Sequence, residues 1–356
     1  MAPPSEVKAV VVVNKGVAAV KTVPRAKLRD EYILVRTTAI AINPTDWAHV
    51  AGWGSDNNNG LRVGCDYVGV VEEVGSKVTA PFVKGDRIAG MAHGVNKLQP
   101  EDGAFGEYIV VKGDVQLKVP DNVTDEEAAT LGVGVMTSQA LYQTMGLPLP
   151  PAEPSSPPAQ LLIYGASTAT GLLAVQYAKL SGYEVAATCS PSNFDLIRSL
   201  GADVVFDYNS PTAVEEIWAW SHGNLTQVLD CISKPDSTRF CVSALSKEKG
   251  GHYQGLLFVD DSLVKEVNDK VTNKTKLAYT VIGETIDKGR VIEASVEDFE
   301  YGKKFWEVTR KLLAAGKIKP ARLEVNRGGK GLEGAIVGME ELKQGKVSGT
   351  KLVYTL

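Results

Sequence analysis

At 356 residues the chain is longer than one ordinary hydrophobic core fills, so two domains are expected, with no need of disulfides or metals to hold them. Thirty-eight Lys and Arg against 42 Asp and Glu leave a formal charge of -4, which argues against a nucleic-acid surface, and 44% apolar residues argue against disorder. No apolar run approaches the roughly 18 residues that a membrane span needs. Met1-Ala2-Pro3-Pro4-Ser5-Glu6 lacks the order of a secretory signal, so the expectation is a soluble, cytoplasmic enzyme. Cys65, Cys189, Cys231 and Cys241 form no CxxC pair and sit in apolar or small-residue surroundings, which favours free thiols over a disulfide framework.

Through residue 125, short β-branched runs alternate with Gly, Pro and Asp turns. They predict strands at 8–13, 32–42, 67–74, 86–90 and 107–111 in a mostly antiparallel β domain. Asp125-Glu126-Glu127 suit the positive end of a helix dipole, and helix is predicted from Ala128 towards Met145. Six prolines between Leu147 and Pro158 then exclude both helix and central strand, leaving a surface linker. Beyond it, predicted strands at 160–164, 184–189, 204–206 and 227–230 alternate with helices at 171–180, 193–200 and 213–220, the pattern of a parallel, doubly wound sheet. Further strands are predicted at 255–259 and 278–283. The tail returns to mixed structure, helical at 302–315 and 331–343 and extended at 323–325 and 351–354. The fold class is therefore α/β, with a mostly β domain over 1–158 and 289–356 and a doubly wound domain over 159–288.

Residues 161–171 run strand, tight loop, helix: Leu161-Leu162-Ile163-Tyr164-Gly165-Ala166-Ser167-Thr168-Ala169-Thr170-Gly171. Loop N–H groups and the helix N-terminus in that arrangement cradle a pyrophosphate, and Gly171 allows close helix–strand packing. Ser and Thr replace the central glycines of a GxGxxG loop, and their hydroxyls can donate to phosphate oxygens instead. The alternative is a plain strand–helix turn. An NAD site places Asp or Glu at the end of the second strand to hold the ribose 2′-OH. Here that strand ends Thr188-Cys189-Ser190-Pro191-Ser192-Asn193, with no carboxylate to repel a 2′-phosphate. Ser190, Ser192 and Asn193 are donors at a helix start, which argues for NADPH, although Ser190 also suits a simple helix cap.

Five motifs together carry a family resemblance. They are Asn43-Pro44-Thr45-Asp46-Trp47, Gly64-Cys65-Asp66-Tyr67-Val68-Gly69-Val70-Val71, Gly85-Asp86-Arg87-Ile88, Gly103-Ala104-Phe105-Gly106-Glu107-Tyr108, and the Gly165–Gly171 loop. The chain resembles the zinc-independent medium-chain dehydrogenase/reductases of the quinone oxidoreductase and enoyl reductase branch. The Ser-Thr-Ala-Thr loop and the stretch from Cys189 to Leu196 point within it to the fungal trans-acting enoyl reductases of polyketide biosynthesis. The resemblance implies a GroES-like catalytic domain beside a Rossmann cofactor domain. It also implies that the catalytic zinc ligands of zinc-dependent members fall at Asn43, Cys65 and Val133, leaving one plausible ligand where three are needed, so no metal is expected.

The resemblance further implies cofactor contacts from Pro44, Thr45, Asp46 and Trp47, from Ser167, Thr168, Ala169 and Thr170, and from Ser190, Ser192, Asn193 and Tyr208. At the nicotinamide end it adds Leu256, Leu257, Val347 and Ser348. Substrate would lie between the domains against Leu131, Gly132, Val133, Gly134, Val135, Met136, Thr137 and Ser138, and against Ala278, Tyr279, Thr280 and Gly283. Thr137 is the candidate catalytic hydroxyl for a thioester carbonyl; the alternative is that it merely starts a helix. No proton donor is assigned: Ala48 and His49 stand where some relatives carry Lys, and His49, His93, His222 and His252 are read as surface or packing residues. The implied activity is reduction of an α,β-unsaturated thioester carried by a partner polyketide synthase, by a monomer that binds neither nucleic acid nor membrane. A stand-alone quinone or enone reductase and a non-catalytic family member are the rivals.

Overall fold

The computed structural model describes residues 3–55 and 57–356. The chain divides into two compact units, residues 1–136 with 279–356, and residues 137–278.

The first unit is built on a seven-stranded sheet in the order Leu323–Val325, Lys351–Thr355, Tyr32–Ala41, Asp66–Val74, Arg87–Met91, Gln116–Lys118, with Tyr108–Lys112 pairing separately with Tyr32–Ala41. Only the pair Leu323–Val325 and Lys351–Thr355 is parallel. The register sets Ile40 opposite Tyr67 and Val35 opposite Val71, so β-branched and aromatic side chains meet across strands. The core gathers Val10, Ile33, Val35, Ile40, Tyr67, Phe105, Met339 and Tyr354. Glu6–Asn14 and Val17–Pro24 form a hairpin. The acidic segment at 125–127 opens Asp125–Ala129, where Thr124 accepts from the Glu127 N–H and Glu127 caps in return, and a second helix follows at Gly132–Met145.

The second unit carries a six-stranded, wholly parallel sheet in the order Val204–Asp207, Glu184–Cys189, Gln160–Tyr164, Gln227–Asp230, Gly251–Gly255, Val271–Thr275. Chain direction through this order reverses between Gln160–Tyr164 and Gln227–Asp230. That reversal is the switch point at whose carboxyl side such sheets bind dinucleotides. Two predicted strands are corrected here. The fifth strand is Gly251–Gly255, not 255–259, and the sixth is Val271–Thr275. Residues Ala278–Ile282, expected to be a strand, form a 3-10 turn, so that segment is not the sheet's edge. Among the described residues no helix is long and apolar enough to cross a membrane.

Candidate active site

At the carboxyl edge of the parallel sheet, Gly165 turns out of its strand with φ +74°. Its N–H donates to Thr188 Oγ1 at 3.2 Å, and the Ala166 N–H donates to the Thr188 carbonyl at 2.9 Å. Thr168 caps the following helix Ala169–Leu180, its Oγ1 accepting from the Gly171 N–H at 3.0 Å. A Cβ on Gly171 would lie 2.5 Å from the Gly165 carbonyl oxygen and 2.7 Å from Ala166 Cα, both backbone atoms that cannot step aside. The loop therefore closes tightly on the helix start and leaves Ser167, Thr168, Ala169 and Thr170 partly exposed. This is a cradle that fits a dinucleotide pyrophosphate, with the helix N-terminus supplying positive potential.

Other expected cofactor residues follow neighbouring parallel strands and so reach the same edge. Ser190 Oγ lies 3.3 Å from Tyr208 Oη, and the Tyr208 ring stands 5.9 Å from that of Tyr164. Ser192 is exposed and Asn193 is buried. The N–H groups of Leu256 and Leu257 donate to Ser233 Oγ at 2.8 and 3.3 Å, which leaves Leu257 48% exposed at the strand end. Asp230 anchors this corner by accepting from the Ile232 and Ser233 N–H groups, Ser237 Oγ and Tyr253 Oη. Val347 and Ser348 belong to the first unit, between Gly331–Lys343 and Lys351–Thr355.

In the first unit the short helix Pro44–Val50 presents the Asn-Pro-Thr-Asp-Trp motif, and Asn43 N–H donates to Asp46 Oδ2 at 2.7 Å. Burial pushes the Asp46 carboxyl up to about 7. Two of the three positions that hold zinc in zinc-dependent relatives are engaged otherwise. The Lys351 ammonium, 2% exposed, donates to Asn43 Oδ1 at 2.9 Å, to the Thr130 carbonyl at 3.1 Å and to Asp66 Oδ2. Asp66 Oδ1 in turn accepts from the Val133 N–H at 2.6 Å. Among the described residues no group of three His, Cys, Asp or Glu side chains is placed to hold a metal ion. Of residues 131–138 only Val133 and Thr137 keep partial exposure, and the Val133 N–H is committed to Asp66 rather than open to a ligand.

The feature that sequence reasoning missed lies around Tyr279. Its Oη is 2.8 Å from Thr45 Oγ1 and 3.7 Å from the buried Cys65 Sγ. Thr45 Oγ1 is 3.3 Å from His49 Nδ1, and His49 Nε2 is 2.7 Å from Lys288 Nζ. His49 and His93 are 1% and 3% exposed, so of the two readings, surface or packing, the surface one does not apply to them. Burial, then the Lys288 charge, holds both imidazoles well below the ordinary histidine range. Burial pushes the Lys288 ammonium down to about 7 and the Tyr279 hydroxyl far up. Thr280, beside Tyr279, donates instead to the buried Asp298. Gly283 has φ +68°, and a Cβ there would meet Phe299 at 3.0 Å, so a bulky residue would strain the fold as well as fill space. One signal pointed to the cluster: Thr45 and His49 are four apart and share a face of one helix.

Comparison with known proteins gives the family. Residues 29–121 match the alcohol dehydrogenase GroES-like domain, and residues 169–294 match the zinc-binding dehydrogenase domain. The trans-enoyl reductase ACTTS2 of Alternaria alternata is 45% identical over 350 residues, covering 98% of each chain. The trans-enoyl reductase TOXD of Cochliobolus carbonum is 49% identical over 269 residues, 75% of this chain and 86% of that one. Among solved structures, the CurK enoyl reductase superposes with a TM-score of 0.74 at 19% identity, and the quinone oxidoreductase of Coxiella burnetii with 0.71 at 22% identity, each covering 99% of both chains. These two show the shared fold. A nicotinamide cofactor follows from the Rossmann-like unit and its family. The chain belongs to the trans-enoyl reductases, a branch of the alcohol-dehydrogenase-like oxidoreductases with a GroES-like domain.

Proposed function

We propose that the protein is an NADPH-dependent, trans-acting enoyl reductase that reduces the C=C of an α,β-unsaturated thioester carried by a partner polyketide synthase. The observation that carries this reading is the 45% identity to a trans-enoyl reductase across 98% of both chains. Reduced nicotinamide, when bound, supplies hydride to the β-carbon of the acceptor. The Gly165–Gly171 loop and the start of Ala169–Leu180 would hold its pyrophosphate. Ser190, Ser192 and Asn193, with no carboxylate from Thr188 to Asn193, favour a 2′-phosphate over a free 2′-OH. Substrate residues are assigned on family resemblance: Leu131–Ser138, with Thr137 toward the thioester carbonyl, and Ala278–Gly283. A monomeric state and a cytoplasmic setting belong to the same proposal, and the four free thiols suit a reducing compartment.

The test is oxidation of NADPH by purified protein with a crotonyl thioester on an acyl carrier protein, set against crotonyl-pantetheine and a free quinone. Faster turnover of the carrier-bound thioester is expected. Turnover of the quinone alone would point to a stand-alone reductase, and absence of NADPH binding to a non-catalytic protein.

A further inference from the structure

Lys288 is placed unlike a lysine that serves packing. A nearly buried ammonium is normally matched by a carboxylate. Its neighbour Asp287 is instead 3.4 Å from Lys97 Nζ, and among the described residues Lys288 forms no ion pair. It lies 2.7 Å from His49 Nε2, with the Tyr279 ring centroid 4.6 Å and the Trp53 ring centroid 5.7 Å away. The groups that face it electrically are Cys65, Asp287, Lys97, His49 and His93.

Hydrogen-bond logic then fixes a direction. The ammonium can only donate, so His49 Nε2 accepts and the neutral ring carries its proton on Nδ1. Nδ1–H is shared between Thr45 Oγ1 and the Thr45 backbone carbonyl, the threonine hydroxyl donates to Tyr279 Oη, and the tyrosine keeps its own proton for an outside acceptor. Cys65 Sγ, at 3.7 Å, is a weak substitute for that acceptor. Beside the Tyr279 ring, with centroids 4.6 Å apart, the His93 ring is buried with neither nitrogen hydrogen-bonded among the described residues. A neutral imidazole has one N–H to donate, so a carbonyl oxygen arriving there would find a donor. At the other end, Gly289 and Arg290 are exposed, so Lys288 adjoins solvent.

We propose that Tyr279 donates the proton to the α-carbon of the reduced acceptor and is recharged from solvent through Thr45, His49 and Lys288. This rests on the enoyl reductase reading above. Hydride addition at the β-carbon moves the C=C electron pair toward the thioester oxygen, giving an enolate. The Tyr279 O–H bond breaks as the α-carbon–H bond forms, and the enolate returns to a thioester. The phenolate takes the Thr45 hydroxyl proton, Thr45 takes that of His49 Nδ1, and His49 Nε2 takes one from Lys288, which regains it from water. One hydride and one proton are added; the relay is then polarised the opposite way, with His49 protonated at Nε2, and it is ready again once the His49 tautomer and the two hydroxyls have turned back and Lys288 is reprotonated.

The test measures turnover of a crotonyl thioester, NADPH affinity and the solvent deuterium isotope effect in the unmodified protein and in four variants. Tyr279→Phe should lower kcat about a hundredfold, with NADPH affinity within about twofold, since the relay is proposed to act in chemistry and not in cofactor binding. Thr45→Val should fall similarly and Thr45→Ser should recover most of the loss, which tests the same link should Tyr279→Phe fail to fold. Turnover of the unmodified protein should decline as pH rises through about 7, where Lys288 loses its proton, and Lys288→Met should remove that limb. If the unmodified protein reduces the thioester while Tyr279→Phe and Thr45→Val match its rate, pH profile and isotope effect, the relay is overturned and the activity stands. If the unmodified protein binds NADPH yet leaves every enoyl thioester unreduced, the functional reading itself is overturned.

Discussion

Replacing Lys351 by Met exposes the energetic weight of the charge beneath the motif helix. The ammonium is 2% and the Asp66 carboxylate 0% exposed, so neither is hydrated. Lys351→Met keeps the length of the apolar stem but removes the donor to three acceptors, Asp66 Oδ2, Asn43 Oδ1 and the Thr130 carbonyl. Among the described residues the Asp66 charge is left with one N–H donor, that of Val133. Breaking a buried pair by removing one partner costs about 3–5 kcal/mol, because the remaining charge stays desolvated. For a unit of this size that is a fall in Tm of roughly 6–20 °C. Asp66→Asn in the same background should restore much of the loss, since an amide oxygen still accepts the Val133 N–H without carrying charge. Thermal and urea unfolding of the single and double variants measure the coupling. A loss below about 1 kcal/mol for Lys351→Met, the scale of a solvated pair, would refute the argument.

Other expectations are as direct. Ser190→Asp puts a negative charge where a 2′-phosphate is proposed to sit and should weaken NADPH at least about tenfold while sparing NADH; equal affinity for the two in the unmodified protein would contradict it. Gly171→Ala drives a Cβ against the backbone of Gly165 and Ala166, so it should cost about 1–3 kcal/mol and abolish dinucleotide binding; unchanged calorimetric affinity would disprove the cradle. Turnover should survive exhaustive chelation, since of the three zinc positions Asn43 is engaged by Lys351 and Val133 has no ligating side chain; a stoichiometric zinc whose removal stops turnover would reverse that expectation.

The parallel sheet was legible where its strands are continuous apolar runs. Gln160–Tyr164, Glu184–Cys189 and Gln227–Asp230 have the bounds that the sequence pattern predicts. Legibility failed at the far side, where pattern and burial part company. Gly251–Gly255 reads Gly-His-Tyr-Gln-Gly and Val271–Thr275 reads Val-Thr-Asn-Lys-Thr, both too polar to signal a strand, yet the ladder holds them. The apolar Leu256-Leu257-Phe258 that drew the prediction leaves the sheet, with Leu257 and Phe258 48% and 53% exposed. The hairpin strand Val17–Pro24 went unseen because it is half-exposed along its length and has no clean alternation. In the site, the phosphate loop was visible because its chemistry is local. The Tyr279 cluster was not, because its members come together from positions 45, 49, 65, 93, 279 and 288 and only tertiary folding joins them.

The placement of Lys351–Thr355 between Leu323–Val325 and Tyr32–Ala41 has a consequence for biosynthesis. The strand that anchors Asn43, Thr130 and Asp66 leaves the ribosome after residues 137–278, which hold every strand of the parallel sheet. At roughly 5–20 residues per second, the interval between residue 136 and Lys351 lasts on the order of 10–40 s. During it the Asp66 carboxylate has no partner ammonium and the edge of Tyr32–Ala41 that will receive the final strand stands open, a template for pairing with other chains. Production of this protein is therefore most exposed to aggregation in the nascent first unit. Chaperone demand should fall on the half-built GroES-like sheet, which waits for Lys351–Thr355, rather than on the parallel sheet, whose strands all lie within residues 137–278.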